Sequence, residues 1–249
     1  MPITIKKHIP NTITSLNLLS GCISIALTFE GYILFAVYMI FLAAFFDFMD
    51  GMTARLLNAY SVVGKELDSL ADVVSFGVAP SVIIFHMMKI SLFKTVHLPP
   101  IENLGFIEII FLLIPFFIAI LSGVRLAKFN VDERQSDSFI GLAVPANALF
   151  FVSLYLVSIL TTNDLLLALL NNNYALSILI VLFSLLLVAE FPMFSLKFKN
   201  LGLKGNKIRY IFIVLSAILL ILLHTIAIPL IIILYILLSA INNWIINFD

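Results

Sequence analysis

Long apolar stretches separated by short polar breaks dominate this sequence of 249 residues. A helix needs roughly 20 apolar residues to cross the hydrocarbon core of a bilayer. Eight stretches approach that length, at residues 13–29, 32–56, 64–88, 104–128, 142–161, 174–191, 208–224 and 227–246. Glycine, proline and asparagine lie in the breaks between them. The pattern predicts an all-α, polytopic transmembrane helix bundle of about eight spans, with a short interfacial segment at the N-terminus.

The composition indicates that lipid is the solvent. Hydrophobic residues make up 62% of the chain and charged residues only 11%, whereas about a quarter of a soluble domain is charged. A soluble globule of this length cannot bury so much apolar surface. We therefore expect a single integral membrane domain over residues 1–249 and no nucleic-acid partner. The lone Cys22 excludes an internal disulfide.

The basic residues predict the orientation of the bundle. With the N-terminus in the cytoplasm and eight spans alternating, only Lys89 and Lys94 lie on the far side. The other twelve of the 14 basic residues lie on the cytoplasmic side, as the positive-inside rule requires. They are Lys6, Lys7, Arg55, Lys65, Arg125, Lys128, Arg134, Lys197, Lys199, Lys204, Lys207 and Arg209. We expect both termini to be cytoplasmic, in an inner or cytoplasmic membrane.

Residues 1–10 are basic and partly apolar, which suits a helix lying along the inner leaflet. A simple positive flank of the first span explains the same residues equally well.

Four carboxylates lie inside the second and third predicted spans, where each charge costs roughly 3 kcal/mol on insertion scales. Asp47 and Asp50 are three residues apart, and Asp68 and Asp72 are four apart. Each spacing puts a pair on one face of a helix. Because the connection between the spans is short, the helices are antiparallel neighbours and the two faces can meet. Mg²⁺ and similar hard cations would offset so many carboxylates. A path for cations or protons across the membrane is the alternative.

Small residues accompany the carboxylates. Gly51 and Ala54 share the face of Asp47 and Asp50, and Gly64 precedes Asp68 by one turn. They leave space for a flat or bulky group against the backbone, although such residues also serve close helix packing. At the cytoplasmic end of the span, Arg55 suits a phosphate through its paired donors. It also suits an ordinary positive-inside anchor.

Residues 47–72 resemble the signature of the CDP-alcohol phosphatidyltransferase family at every defined position. The pattern is D-x-x-D-G-x-x-A-R, eight residues, then G-x-x-x-D-x-x-x-D. The resemblance implies that the four aspartates hold two divalent cations, Mg²⁺ or Mn²⁺, and that Asp72 is also the general base. It further implies a set of residues that contact the CDP-lipid, namely Pro10, Asn11, Thr12, Gly51, Ala54, Arg55, Ser61 and Gly64.

Three further stretches look like the phosphatidylserine synthase branch of that family, at residues 71–80, 125–130 and 139–146. The branch more often has Arg in place of Lys128 and Pro in place of Ala143. The resemblance covers a catalytic core of about residues 9–150, and residues 151–249 carry no signature. It implies transfer of a phosphatidyl group from CDP-diacylglycerol to L-serine, within membrane lipid and in a homodimer.

Three residues are candidates for binding a zwitterionic serine. The planar guanidinium of Arg125 suits the carboxylate, and Ser75 and Asn130 are candidate hydrogen-bonding neighbours. Arg125 also fits an ordinary positive-inside cluster. Sibling enzymes that use glycerol 3-phosphate, inositol phosphate or choline stay open as alternatives. A cation or proton transporter is a more distant one, because the four acids cluster toward one end of their spans.

Overall fold

Helices form almost all of the protein. The computed structural model describes residues 3–95, 97–132, 139–196, 202 and 205–246. Its α-helices are α1 (Ile3–Phe29), α2 (Ile33–Leu57), α3 (Val62–Asp72), α4 (Ala79–Phe93), α5 (Phe106–Leu113), α6 (Phe117–Val131), α7 (Val144–Leu160), α8 (Asp164–Leu170), α9 (Asn173–Val188), α10 (Lys207–Leu223) and α11 (Ala227–Ile246). Two short strands, β1 (Phe139–Ile140) and β2 (Pro192–Met193), pair antiparallel. The predicted all-α polytopic class is confirmed.

Within the residues that the structure describes, five helical stretches are long and apolar enough to cross a membrane. They are His8–Phe29, Ile33–Leu57, Val62–Phe93, Phe106–Val131 and Lys207–Trp244. A sixth consists of α8 and α9 together, which bend by 69° at their junction. Helix α7 is apolar and shorter, with 17 residues. The predicted total of eight spans stays a prediction.

The stretch from α10 to α11 folds back on itself. His224 has φ 49° and ψ −116°, far from helical values. The rings of Phe212 and Tyr235, one on each side of this break, have centroids only 5.7 Å apart. In one straight helix, those residues would be about 35 Å apart along the axis. Helices α10 and α11 therefore form a hairpin, as the division at residues 224–227 predicted.

Helix α1 turns polar side chains toward the interior of the bundle. Its buried stripe consists of Thr14, Asn17, Ser20, Ser24 and Thr28. The Ser24 hydroxyl donates to the carbonyl of Ala36, 2.8 Å away in α2. Small polar residues allow helices to approach closely in lipid, where close packing and hydrogen bonds replace the hydrophobic effect as the driving force. Residues 3–10 form the first turns of α1, with Pro10 inside the helix.

A π-helical segment, Val73–Val78, joins α3 to α4 without a break. It begins directly after Asp72. A β-carbon added to Gly21 of α1 would lie 2.5 Å from the Ser75 hydroxyl oxygen, and one added to Gly77 would lie 3.2 Å from Cβ of Ser122 in α6. The π segment therefore lies tightly between α1 and α6. Such segments are often found at functional sites.

Helix α7 is buried along most of its length. The Phe150 ring stacks on Phe183 of α9 at 3.7 Å between centroids. Before α7, the backbone N–H of Gly141 donates to the carbonyl of Phe191 at 2.9 Å. Gly141 has φ +76°, and an added β-carbon would lie 2.5 Å from the carbonyl oxygen of Leu187. Only glycine fits this loop, which closes the end of the bundle where α7 begins and α9 ends.

Four of the basic residues that predicted the orientation lie outside the described residues. They are Arg134, Lys197, Lys199 and Lys204.

Candidate active site

The predicted carboxylates converge between α2 and α3. One oxygen each from Asp47, Asp50 and Asp68 lies within 4.8 Å of the others. A tight turn makes this possible, because Asn58 ends α2 with φ 49° and Ser61 caps α3 by accepting from the backbone N–H of Gly64. The two helices therefore run antiparallel, with their acidic faces opposed.

Asp72 extends this cluster into the bundle. It is 7% exposed and interacts electrostatically with Asp47, Asp50 and Asp68. The side-chain amide of Asn17 in α1 donates to an oxygen of Asp72 at 3.2 Å. Asn17 thus fixes the orientation of the innermost carboxylate. All four aspartates of the predicted set therefore belong to one group of interacting charges.

The donor set fits a divalent cation. Oδ2 of Asp50 and Oδ1 of Asp68 are buried and accept no hydrogen bond. A buried carboxylate oxygen without a partner is costly, and hard divalent cations bind such oxygens. The cluster is thus a group that could hold a metal ion.

A cavity of about 450 Å³ opens beside the carboxylates. This volume is in the range of small-molecule sites. Asp50 and Asp68 line it, together with seven of the eight residues expected to contact the CDP-lipid: Pro10, Asn11, Gly51, Ala54, Arg55, Ser61 and Gly64. The eighth, Thr12, is exposed on α1 and is not among the lining residues. Its hydroxyl donates to the carbonyl of His8 at 2.9 Å.

The two glycines of the signature have different surroundings. A β-carbon added to Gly64 would lie 2.8 Å from the side-chain oxygen of Asn11 and 2.9 Å from that of Ser61. Gly64 therefore lets α1 approach α3. A β-carbon added to Gly51 would meet no protein atom within 4 Å. Helix packing does not require glycine at position 51, and the space above its backbone belongs to the cavity.

Aromatic and basic side chains complete the cavity wall. Tyr60 and Phe129 line it, and so does Lys65, whose ammonium donates to the carbonyl of Asn130 at 3.0 Å. The exposed Arg55 donates through Nε to the carbonyl of Gly51 at 3.0 Å. Exposed basic side chains and two aromatic side chains thus line the same cavity as Asp50 and Asp68.

The three residues predicted to bind serine are differently placed. The Ser75 hydroxyl is buried and donates to the carbonyl of Asn17 at 2.9 Å. The Asn130 side chain donates to the hydroxyl of Ser69 at 2.9 Å. Both therefore connect helices through polar atoms that are already paired.

Arg125 of α6 differs from these two. It is 7% exposed, its Nε has no hydrogen-bond partner, and it interacts electrostatically with Asp72. Its guanidinium carbon lies 5.5 Å from the centroid of the Phe129 ring. Arg125 is thus a buried cation with an unused donor, next to a ring that lines the cavity.

Sequence reasoning missed three buried polar residues, two of which lie beside the cluster. Asn17 and Thr14 lie in the buried stripe of α1, and polar residues inside a span were a usable signal for both. Thr14 lines the cavity, beside Asp50. Asn147 of α7 is fully buried with neither amide atom paired. A single asparagine near the start of a span carried no pattern from which this could be inferred.

Comparison with known proteins gives a consistent result. The family model described as CDP-alcohol phosphatidyltransferase matches residues 7–189. The CDP-diacylglycerol–serine O-phosphatidyltransferase of Bacillus subtilis (strain 168) is 38% identical over 139 residues, which are 56% of this chain and 70% of that protein. The protein of the same name from Helicobacter pylori (strain J99) is 34% identical over 154 residues, 61% of this chain and 59% of that protein.

An archaeal protein is similar over a comparable length. The archaetidylserine synthase of Methanothermobacter thermautotrophicus is 33% identical over 150 residues, 59% of this chain and 58% of its own length. The chain thus spans less than two thirds of two of these three relatives.

Removal of one buried carboxylate should weaken metal binding. We expect Asp50→Asn to weaken Mn²⁺ binding by at least about tenfold, because a hard cation loses a charged oxygen ligand. The measurement is a Mn²⁺ titration followed by electron paramagnetic resonance. Glu66→Gln is the matched control, since Glu66 is an exposed carboxylate on the same helix as Asp68. Equal affinities in the two variants would contradict metal binding at the cluster.

Proposed function

The chain belongs to the CDP-alcohol phosphatidyltransferase family, and we propose that it transfers the phosphatidyl group of CDP-diacylglycerol to the hydroxyl of L-serine. The products are phosphatidylserine and CMP. The observation that carries this proposal is the buried carboxylate cluster at the inner end of a cavity lined by the nucleotide signature. The acceptor is inferred from the names of the relatives and from Arg125.

The nucleotide part of the substrate fits the cavity in our proposal. Gly51 offers its open backbone to a flat group, and Arg55 and Lys65 face the phosphates from the outer rim. The diacylglycerol chains stay in the surrounding lipid. Two divalent cations, Mg²⁺ or Mn²⁺, would be held by Asp47, Asp50, Asp68 and Asp72. When bound, they would offset the charge of the carboxylates and of the pyrophosphate.

Asp72 is the general base in this proposal. It accepts the proton of the serine hydroxyl, and the serine oxygen then forms a bond to the phosphorus that carries diacylglycerol. The bond from that phosphorus to the bridging oxygen breaks, and CMP leaves with the electron pair. Asn17 holds the Asp72 carboxylate through its amide. Arg125 binds the serine carboxylate, since it is the buried cation with an unused donor beside Asp72.

A transporter is less well supported. A path for cations needs polar groups at successive depths across the membrane, whereas three of these acids gather within 4.8 Å. The cytoplasmic location of the site rests on the distribution of basic residues along the sequence. A homodimer in the membrane is part of the proposal through family resemblance.

Release of CMP with different alcohols tests the function. Purified protein receives CDP-diacylglycerol, Mg²⁺ or Mn²⁺, and one acceptor: L-serine, glycerol 3-phosphate, inositol phosphate or choline. We expect CMP and phosphatidylserine with serine and at most about a hundredth of that rate with the others. If CMP were released only with another acceptor, that alcohol would replace serine as the proposed acceptor. If no acceptor gave CMP, the transferase reaction itself would be excluded.

Asp72→Asn should lose turnover while it retains the substrate. A general base contributes about 10²–10⁴-fold, so we expect kcat to fall by that factor. The neutral amide keeps the shape of the carboxylate and can still accept from Asn17. Binding of CDP-diacylglycerol, measured by equilibrium titration in the presence of Mg²⁺, should change by less than about threefold. A kcat near the wild-type value at full metal occupancy would refute the assignment of the base.

Gly51→Ala should weaken binding of the nucleotide without destabilising the fold. Its methyl group projects into the cavity and meets no protein atom within 4 Å. We expect KM for CDP-diacylglycerol to rise by at least about fivefold, with an unchanged melting temperature. Gly64→Ala is the comparison, because its methyl group collides with Asn11 and Ser61 and should lower the melting temperature as well. An unchanged KM in Gly51→Ala would contradict the proposed location of the nucleotide above Gly51.

A further inference from the structure

Asn17 of α1 is held both at its backbone and at its side chain. The Ser75 hydroxyl of the π segment donates to the backbone carbonyl of Asn17 at 2.9 Å. The side-chain nitrogen of Asn17 donates to Oδ1 of Asp72 at 3.2 Å. The residue is completely buried. Because Asp72 and Ser75 lie one helical turn apart, a single turn of the neighbouring helix fixes this asparagine at two points.

The oxygen of the same amide is left without a partner. Among the residues that the structure describes, none donates a hydrogen bond to Oδ1 of Asn17, although the atom is buried. The amide does not turn over, because its oxygen would then face the carboxylate of Asp72, and two acceptors would oppose each other. A buried acceptor without a donor is costly. Asn17 therefore presents a fixed and unused acceptor beside Asp72.

The alcohol of the proposed reaction carries the missing donor. In L-serine, the ammonium lies on the carbon next to the one that bears the hydroxyl. Oδ1 of Asn17 and the carboxylate of Asp72 are neighbours in the same way, since the amide nitrogen that binds Asp72 shares one carbon with Oδ1. When the serine hydroxyl faces Asp72, its ammonium can therefore reach Oδ1. Asp72 keeps 7% exposure, so a molecule that reaches it arrives next to the amide.

We propose that Oδ1 of Asn17 binds the ammonium of the incoming amino acid, while the nitrogen of the same amide holds Asp72 for the hydroxyl. This inference rests on the proposed function and deepens it, because it adds a contact to the acceptor that Arg125 does not supply. An amide oxygen suits the task, since it accepts a hydrogen bond from an ammonium without taking up its proton. Choline has no N–H group and leaves this oxygen unpaired.

A pair of acceptors isolates the ammonium. The compound 3-hydroxypropionate keeps the hydroxyl and the carboxylate of serine and has hydrogen in place of the ammonium. CMP release by the full-length enzyme is measured with each acceptor varied at saturating CDP-diacylglycerol. The readout is the preference for serine, defined as the ratio of the two kcat/KM values. A change in Asp72 or in the fold alters both values together, whereas loss of a contact to the ammonium changes the ratio.

Asn17→Leu removes both polar atoms and keeps the approximate volume of the side chain. We expect the wild-type preference for serine to be at least about tenfold and to fall by roughly tenfold in this variant, because a hydrogen bond to a charged group contributes about that factor. Turnover should fall with both acceptors, since Asp72 loses its donor. Melting temperatures are recorded for every variant.

Ser24→Ala is the matched control. Ser24 is buried two turns further along α1 and donates to the carbonyl of Ala36 in α2. The variant therefore removes a buried polar contact of the same helix away from Asp72. Its preference for serine should stay within about twofold of wild type, whatever its melting temperature.

Asn17→Asp decides the question if the apolar variant fails to fold. It keeps an oxygen at the position of Oδ1 and replaces the nitrogen that donates to Asp72. We expect lower turnover with both acceptors and a preference for serine at least as large as that of wild type.

Three results would overturn the proposal. The first is an unchanged preference in Asn17→Leu, which is the result for an oxygen that binds a metal-bound water or serves only the fold. The second is equal use of the two acceptors by wild type. The third is loss of the preference in Asn17→Asp.

Wild-type kinetics separate this inference from the function on which it rests. If wild-type protein released no CMP with serine, the proposed function would fail and the role of Asn17 would fail with it. If wild type used serine and Asn17→Leu showed the same preference as wild type, only the role of Asn17 would fail.

Discussion

Four negative charges inside a lipid-embedded bundle are the constraint on which the rest of this structure depends. Each carboxylate is costly in hydrocarbon, and together they repel one another. The protein brings them together through a short turn at residues 58–61 and opposes them across α2 and α3. Two of their oxygens have no protein partner. The bundle therefore builds a concentrated negative site whose remaining requirement is a cation, and the adjoining cavity suits a phosphate-bearing molecule that shares it.

The same constraint explains why α1 is polar on its buried face. Asn17 donates to Asp72 and accepts from Ser75 through its carbonyl, so one residue connects α1 to the last carboxylate and to the π segment. Close approach of these helices needs small residues, and Gly21 supplies one against Ser75. The innermost carboxylate is thus held by a hydrogen bond from a helix that contributes no charge to the cluster. The apolar surface of α1 is left for lipid.

Much of the fold and part of the site were predictable from the sequence. The helix limits follow from apolar runs and breakers. Seven of the eight contacts expected from the family resemblance line one cavity, five within residues 47–72 and two, Pro10 and Asn11, at the start of the chain. Thr12 is not among the lining residues, and its hydroxyl donates to the carbonyl of His8 in the preceding turn of α1. The sequence motif does not predict this hydrogen bond. Tyr60 and Phe129 reach the cavity through tertiary packing, for which a single sequence has no periodic signal. The π segment after Asp72 was not predictable either, since no sequence pattern in residues 73–78 distinguishes a π-helix from an α-helix.

The hairpin of α10 and α11 has a consequence for the assembly of the protein in the membrane. All four carboxylates belong to the first 72 residues, whereas the hairpin begins at Lys207. Chains are synthesised from the N-terminus at roughly 5–20 residues per second. The helices that carry the carboxylates are therefore synthesised seconds before the hairpin. During that interval the nascent chain already carries the concentrated negative site.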